Sequence, residues 1–92
     1  MTRMLFVDDQ APLLMARLRG LSQPPHGFVI DSVDEAAQAL PAMRKRCPDV
    51  VLLDLRFPGD ETRPESTGAR LLREIVAEFP AVPVVEIGRA HV

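Results

Sequence analysis

Three aspartates stand where chemistry can be done. Asp8 and Asp9 follow the apolar run Met4-Leu5-Phe6-Val7, and Asp54 follows Val50-Val51-Leu52-Leu53. A short apolar run bounded by Pro48 on one side and Pro58-Gly59 on the other reads as a strand buried on both faces. Each acid then stands at the C-terminal end of such a strand, where open parallel sheets bind their ligands. A carboxylate there is costly unless something compensates it. The plainer roles are a turn or cap acid for Asp54, an N-cap for Asp9 and a solvent-facing Asp8. The choice depends on whether the two strand ends adjoin.

The elements that position these residues alternate. The strand at residues 4–7 is followed by a helix at 12–19, with Leu14 and Leu18 on one face, Pro12 in the first turn and Gly20 as an end signal. Residues 22–27 read as a loop, in which His26 is solvent-facing rather than a metal ligand. A second strand at 28–33 leads, through Asp34 as N-cap, into a helix carrying Ala36, Ala37, Ala39, Leu40, Ala42 and Met43. Pro41 inside that pattern should kink or split it. Arg44-Lys45-Arg46 fall in its last turn, where cations complement the helix dipole; the rival role is a basic docking patch. After the strand at 50–53, the polar, Pro-containing residues 60–67 read as a mobile loop. A helix at 68–79 places Leu71, Leu72, Ile75, Val76 and Phe79 on one face. A fourth strand begins at 82–85.

This alternation implies a parallel α/β sheet with right-handed crossovers. In a doubly wound order of 2-1-3-4, strands one and three are neighbours and the switch point lies between them. Asp8, Asp9 and Asp54 would then share one pocket. Like charges that close raise one another's pKa. A hard divalent cation resolves the conflict, and oxygen ligands with room for water suit Mg²⁺.

The 92 residues make one domain, and the net charge of −2 argues against a general nucleic-acid-binding surface. No apolar run approaches a membrane span, and no secretory segment precedes the first strand. The single cysteine, Cys47, cannot form an internal disulfide, so a reducing cytoplasm is expected. Cys47 itself reads as packing filler rather than a nucleophile.

Val7-Asp8-Asp9, and Pro48-Asp49-Val50-Val51-Leu52-Leu53-Asp54-Leu55-Arg56-Phe57-Pro58-Gly59, resemble the receiver domain of bacterial two-component response regulators, over residues 4–85. The resemblance implies a flavodoxin-like doubly wound sheet. It implies that Asp54 is the phosphoacceptor, that Asp9 is a direct Mg²⁺ ligand with Asp8 its partner through water, and that the backbone carbonyl of Arg56 is the third protein ligand. The implied donor is a histidine kinase or phosphotransfer protein, and the added charge would bias a two-state rearrangement. Neither direct nucleic-acid contact nor a membrane is implied for this segment. Two departures stand out. Residues 59–67 look like an insertion between Pro58 and the Gly68 that opens the next helix. Gly88 lies near the place of the family's switch Thr or Ser, and the chain ends before the fifth strand, its Lys and the last helices, which leaves dimerisation open.

Two other functions compete: a receiver-like interaction module that takes no phosphate, and a Mg²⁺-dependent phosphohydrolase with Asp54 as nucleophile. Against an enzyme, no general acid follows Asp54 closely, since Leu55 and Arg56 do not fill that role. Two segments are expected: residues 1–85 as a truncated receiver domain, and residues 86–92 as a non-native tail. Glu86 places a charge in an apolar strand, and Glu86-Ile87-Gly88-Arg89-Ala90-His91-Val92 resembles the translation of a DNA-sequencing adapter. Strand four would then be an exposed edge.

Overall fold

The apolar runs that precede Asp8 and Asp54 become the inner strands of one parallel sheet. In the computed structural model, which describes residues 2–10, 27–55 and 57–87, β1 spans Arg3–Val7, β2 Val29–Val33, α1 Ala39–Lys45, β3 Val50–Asp54, α2 Thr67–Glu78 and β4 Val84–Ile87. The order is β2-β1-β3-β4, as expected, and each neighbouring pair is parallel. The expected helix at 12–19, the loop after it and His26 lie outside the described residues.

Register is what brings the acids together. Met4 pairs with Val50 and Val7 with Leu53, so the residues after β1 start level with Asp54. The other end of this pair is pinned by reciprocal bonds. Asp49 N–H donates to the Arg3 carbonyl at 2.8 Å, and Arg3 N–H donates to Asp49 Oδ2 at 2.7 Å. A slip of one residue would turn every side chain of β3 to the opposite face.

Alternate residues of the inner strands, Leu5 and Val7 with Val51 and Leu53, face one core. Ala39 and Met43 of α1 and Leu71 and Ile75 of α2, each pair at i, i+4, close over them, with Phe57 at the margin. Burying a side chain of this kind fully stabilises by roughly 1.5–3 kcal/mol. Val76 was expected on this face but is 53 % exposed. The buried stripe of α2 is the narrower one through Gly68, Leu71 and Ile75.

Pro41 has a clear place. The helical segment splits into a 3-10 turn, Ala36–Gln38, and α1, which begins at Ala39. Pro41 is therefore the third residue of α1, in the first turn, where a missing N–H leaves no bond unmade. Asp34 is not the cap: Glu35 holds the position before the 3-10 turn and makes no side-chain capping bond. Arg44 and Lys45 do fall in the last turn of α1, and Arg44 holds Glu78 at the end of α2 through two bonds of 2.7 and 2.6 Å. Cys47 is exposed, not packed; the buried residue at this corner is Pro48. β4 starts later than expected and continues through Glu86 to Ile87. Glu86 is exposed there, because β4 lies at the sheet edge.

Candidate functional site

Asp8, Asp9 and Asp54 meet at the C-terminal ends of β1 and β3. Each offers a carboxylate oxygen, and these oxygens all lie within 4.8 Å of one another. Asp54 is 1 % and Asp8 5 % exposed, the two buried polar or charged residues of the described chain; Asp9 is half-buried. Asp8 is held through both its backbone and its side chain. Its N–H donates to the Val33 carbonyl at 3.2 Å, extending the β1–β2 ladder. Its Oδ1 accepts the Gln10 N–H at 2.8 Å.

Burial holds the Asp8 carboxyl above the usual carboxylate range. The Gln10 N–H opposes this, while the charge of Asp54, and both a hydrogen bond and the charge of Asp9, add to it. The repulsion expected from the sequence is therefore present. A set of hard oxygen donors this close, with two of the three buried, suits a small divalent cation. The chemistry of the donors fits Mg²⁺ on the geometry of this chain alone. The expected backbone ligand, Arg56, lies outside the described residues.

The loop after Asp54 is not structureless. Phe57, Pro58, Gly59 and Asp60 form a turn closed by Asp60 N–H on the Phe57 carbonyl at 3.3 Å. Gly59 has φ 90° and ψ −2°, the second central position of a type II turn, with proline at the first. Asp60 then closes a clasp. Its Oδ2 accepts the Phe57 N–H at 3.0 Å and the Thr67 N–H at 3.1 Å, and its Oδ1 accepts the Thr67 hydroxyl. Residues 57 and 67 are thus held to one carboxylate, and the chain between them begins with the 3-10 turn Asp60–Thr62. Ser66 caps α2, its Oγ accepting the Ala69 N–H at 3.1 Å. Glu65 pairs with Arg73 one helical face away.

Gly68 explains why α2 can begin where it does. A Cβ at this position would lie 2.3 Å from Leu55 Cα and 2.6 Å from the Asp54 carbonyl oxygen. The first turn of α2 is seated directly on the backbone that follows Asp54, and only glycine permits that approach. In the sequence, Gly68 stands out only as the residue that opens the helix, and residues 60–67 read as a polar, mobile loop, whereas here they carry a 3-10 turn and a side-chain clasp. Asp60 is the supporting residue that sequence reasoning missed. Pro58-Gly59-Asp60 ahead of Ser66-Thr67-Gly68 is the pattern that could have shown it: a type II turn, a short polar acceptor, and a helix start with donors to satisfy.

Comparison with known proteins agrees with this geometry. The sequence profile described as the response regulator receiver domain matches residues 4–91. The protein-glutamate methylesterase/protein-glutamine glutaminase 1 of Cereibacter sphaeroides is 38 % identical over 84 residues, 91 % of this chain and 21 % of that protein. The DNA-binding transcriptional regulator NtrC of Escherichia coli is 32 % identical over 85 residues, 92 % of this chain and 16 % of that protein. The crystal structure of the receiver domain of NtrX from Brucella abortus superposes with a TM-score of 0.69 at 32 % identity, covering 90 % of this chain and 64 % of that one. The chain thus spans about a fifth or less of the curated relatives it matches. Among the described residues, no helix is long and apolar enough to cross a membrane.

Proposed function

The chain belongs to the response regulator receiver domain family, and from that premise we propose that it is the phosphoacceptor module of a cytoplasmic two-component system, with Asp54 taking the phosphoryl group from a histidine kinase or phosphotransfer protein. The observation that carries this reading is the convergence of Asp8, Asp9 and Asp54 from two neighbouring strand ends into one cluster, with Asp8 and Asp54 buried. A purely surface-acting module has no use for buried carboxylates that repel one another.

Asp54 acts as the nucleophile: one of its carboxylate oxygens attacks phosphorus in line with the donor. The phosphorus–nitrogen bond to the donor imidazole breaks, and its electron pair leaves with the imidazole. The product is an acyl phosphate on Asp54. Bound Mg²⁺ supplies charge neutralisation between two anions that would otherwise repel. Asp9, Asp54 and the Arg56 carbonyl would hold it directly, and Asp8 would hold a water of its shell. Asp8 is the more buried of the acidic pair and the one anchored by Gln10, which suits a fixed acceptor for that water. The methylesterase and DNA-binding activities named for the relatives belong to proteins several times longer, and any output of this kind would come from sequence outside residues 1–92.

Incubation with a small acyl-phosphate donor tests the reading. Labelling should require Mg²⁺ and disappear in Asp54→Asn. Undiminished labelling of that variant sinks the assignment, and rapid turnover with no stable phosphoprotein would favour a phosphohydrolase instead.

A further inference from the structure

We propose that the open edge of β2, with the groove between it and the end of α1, docks an extended peptide that carries acidic side chains at one end. The phosphoacceptor reading is not needed for this. The ladder supplies the first observation. Val29 N–H donates to the Thr2 carbonyl at 2.8 Å, and the Val33 carbonyl accepts the Asp8 N–H at 3.2 Å. Backbone groups alternate sides along a paired strand, so Val29, Asp31 and Val33 turn theirs toward β1, while Ile30 and Ser32 turn theirs outward. Among the described residues no strand lies beyond β2, and Asp31 and Ser32 are exposed. Outward N–H and C=O groups on an exposed edge are a template for one more strand.

An open edge does not choose its partner; the groove beside it does. A space of about 400 Å³ is lined by Leu5 and Val33 from the sheet, by Ala42, Lys45 and Arg46 from α1 and its end, and by Pro48. Its floor is apolar and its rim cationic. Lys45 and Arg46 are exposed and make no ion pair among the described residues, whereas Arg44 beside them is taken by Glu78. Asp31 also lines the groove, but Arg3 Nη1 donates to its Oδ2 at 3.3 Å, so its charge is matched within the chain. The outstanding charge of the groove is therefore positive. It is also placed at one end. α1 runs back along the sheet from β2 to β3, so it finishes near the N-terminal ends of the strands, while Asp34 and Glu35 follow β2 at the other end. Complementarity then sets a partner's acids beside Lys45 and Arg46, with apolar side chains over the floor. A nucleic acid fits less well. Its phosphates would run on to Asp34 and Glu35, and it has no strand backbone for Ile30 and Ser32.

The probe is the blocked peptide acetyl-Val-Thr-Val-Thr-Glu-Glu-amide, titrated into the full chain and followed by backbone amide resonances and hydrogen exchange. Binding should saturate, with the Ile30 and Ser32 amides shifted and their exchange slowed. A peptide with lysine in place of both glutamates should bind roughly tenfold more weakly, the sum of two exposed charge pairs turned from attraction to repulsion. Lys45→Glu with Arg46→Glu should invert that preference, so that the lysine peptide becomes the tighter one. Ser32→Pro removes an outward N–H at a place where an edge strand tolerates proline; it should abolish binding of both peptides with the melting temperature little changed. Unslowed exchange at Ile30 and Ser32 in the saturated chain overturns strand addition, even if Ser32→Pro fails to fold. Equal affinity for the two peptides overturns the role of Lys45 and Arg46. A single-stranded oligonucleotide that binds more tightly than the glutamate peptide, and loses that binding in the doubly reversed variant, makes the groove a phosphate site and overturns the proposal. So does self-association of the chain through β2 in place of peptide binding, or the absence of any saturable binding.

Discussion

The cluster at the ends of β1 and β3 and the clasp at Asp60 are both built on aspartate, Asp54 and Asp60 being only a few residues apart in the chain, and they are opposite in character. In the pocket, three carboxylates lie within 4.8 Å of one another, and burial with that shared charge pushes Asp8 up. In the clasp, one carboxylate gathers two backbone N–H groups and a hydroxyl. Burial pushes Asp60 up too, but those bonds, with the nearby Arg63 charge, outweigh it and hold the carboxyl below its ordinary range. The pocket costs the fold stability in order to bind something. The clasp favours the fold by tying residue 57 to residue 67. The same side chain does either job, and what surrounds it decides which.

Gly68 is where the two regions touch, so it is the place to break both at once. A side chain there meets backbone atoms of Asp54 and Leu55 rather than a flexible neighbour that could swing away. Overpacking usually costs about 1–3 kcal/mol, and Gly68→Ala is expected at the top of that range. The urea midpoint should fall with the slope unchanged. Labelling at Asp54 should fall with it, under conditions where the variant is still folded. A midpoint equal to that of the unsubstituted chain would show that α2 does not seat on β3 as described.

The second test separates the cost of the pocket from its purpose. Asp8→Asn removes a buried charge while leaving an oxygen for the Gln10 N–H. In cation-free buffer it should raise the melting temperature. In Mg²⁺ the order should reverse. The unsubstituted chain gains about 2.7 kcal/mol at a Mg²⁺ concentration a hundredfold above its Kd, and the variant, having lost part of its attraction for the ion, gains less. A variant less stable than the unsubstituted chain in both buffers would mean that Asp8 is a structural acid and that the pocket stores no repulsion.

The contrast between the two regions also marks what was legible in the sequence. The pocket was readable because it follows from periodicity. Two unbroken apolar runs specify inner strands, alternation specifies parallel neighbours, and the residue after each run must then lie at the switch point. Asp8, Asp9 and Asp54 needed nothing more. The clasp depends on the conformation of a turn and on which of several polar side chains in residues 60–67 reaches back to the chain. Composition marks such a stretch as a loop but not as an ordered one. Misreadings elsewhere have local causes. The helical segment around Pro41 is split, as its proline suggests, but the break falls ahead of Ala39, so that Pro41 lies in the first turn of α1. Val76 looked buried because α2 was credited with a wider apolar stripe than it uses. Cys47 was judged by its residue type, when the corner buries Pro48 instead.

The smallest expected effect is the dependence of stability on pH, and it tests the comparison most directly, because the two aspartates should bend the curve in opposite directions. Asp60 has a folded pKa below its unfolded one. Its contribution is fully present above the unfolded value, near pH 3.9, and is lost as pH falls through the folded value. Asp8 has a folded pKa above its unfolded one. Its contribution is greatest below the unfolded value and is lost as pH rises through the folded value. Melting temperatures taken from pH 3 to 7 in chelator, to keep cations out of the pocket, should therefore show two trends. Asp60→Asn should be less stable than the unsubstituted chain at pH 7, with the gap narrowing towards pH 3. Asp8→Asn should be more stable at pH 7, and that gap too should narrow as the native Asp8 takes up its proton. Asp60 is partly open to solvent, so the first gap should be the smaller and should shrink with added salt. Gaps of the same sign for both variants at pH 7 would show that the two carboxylates sit in like environments, against the geometry of the clasp and the pocket alike.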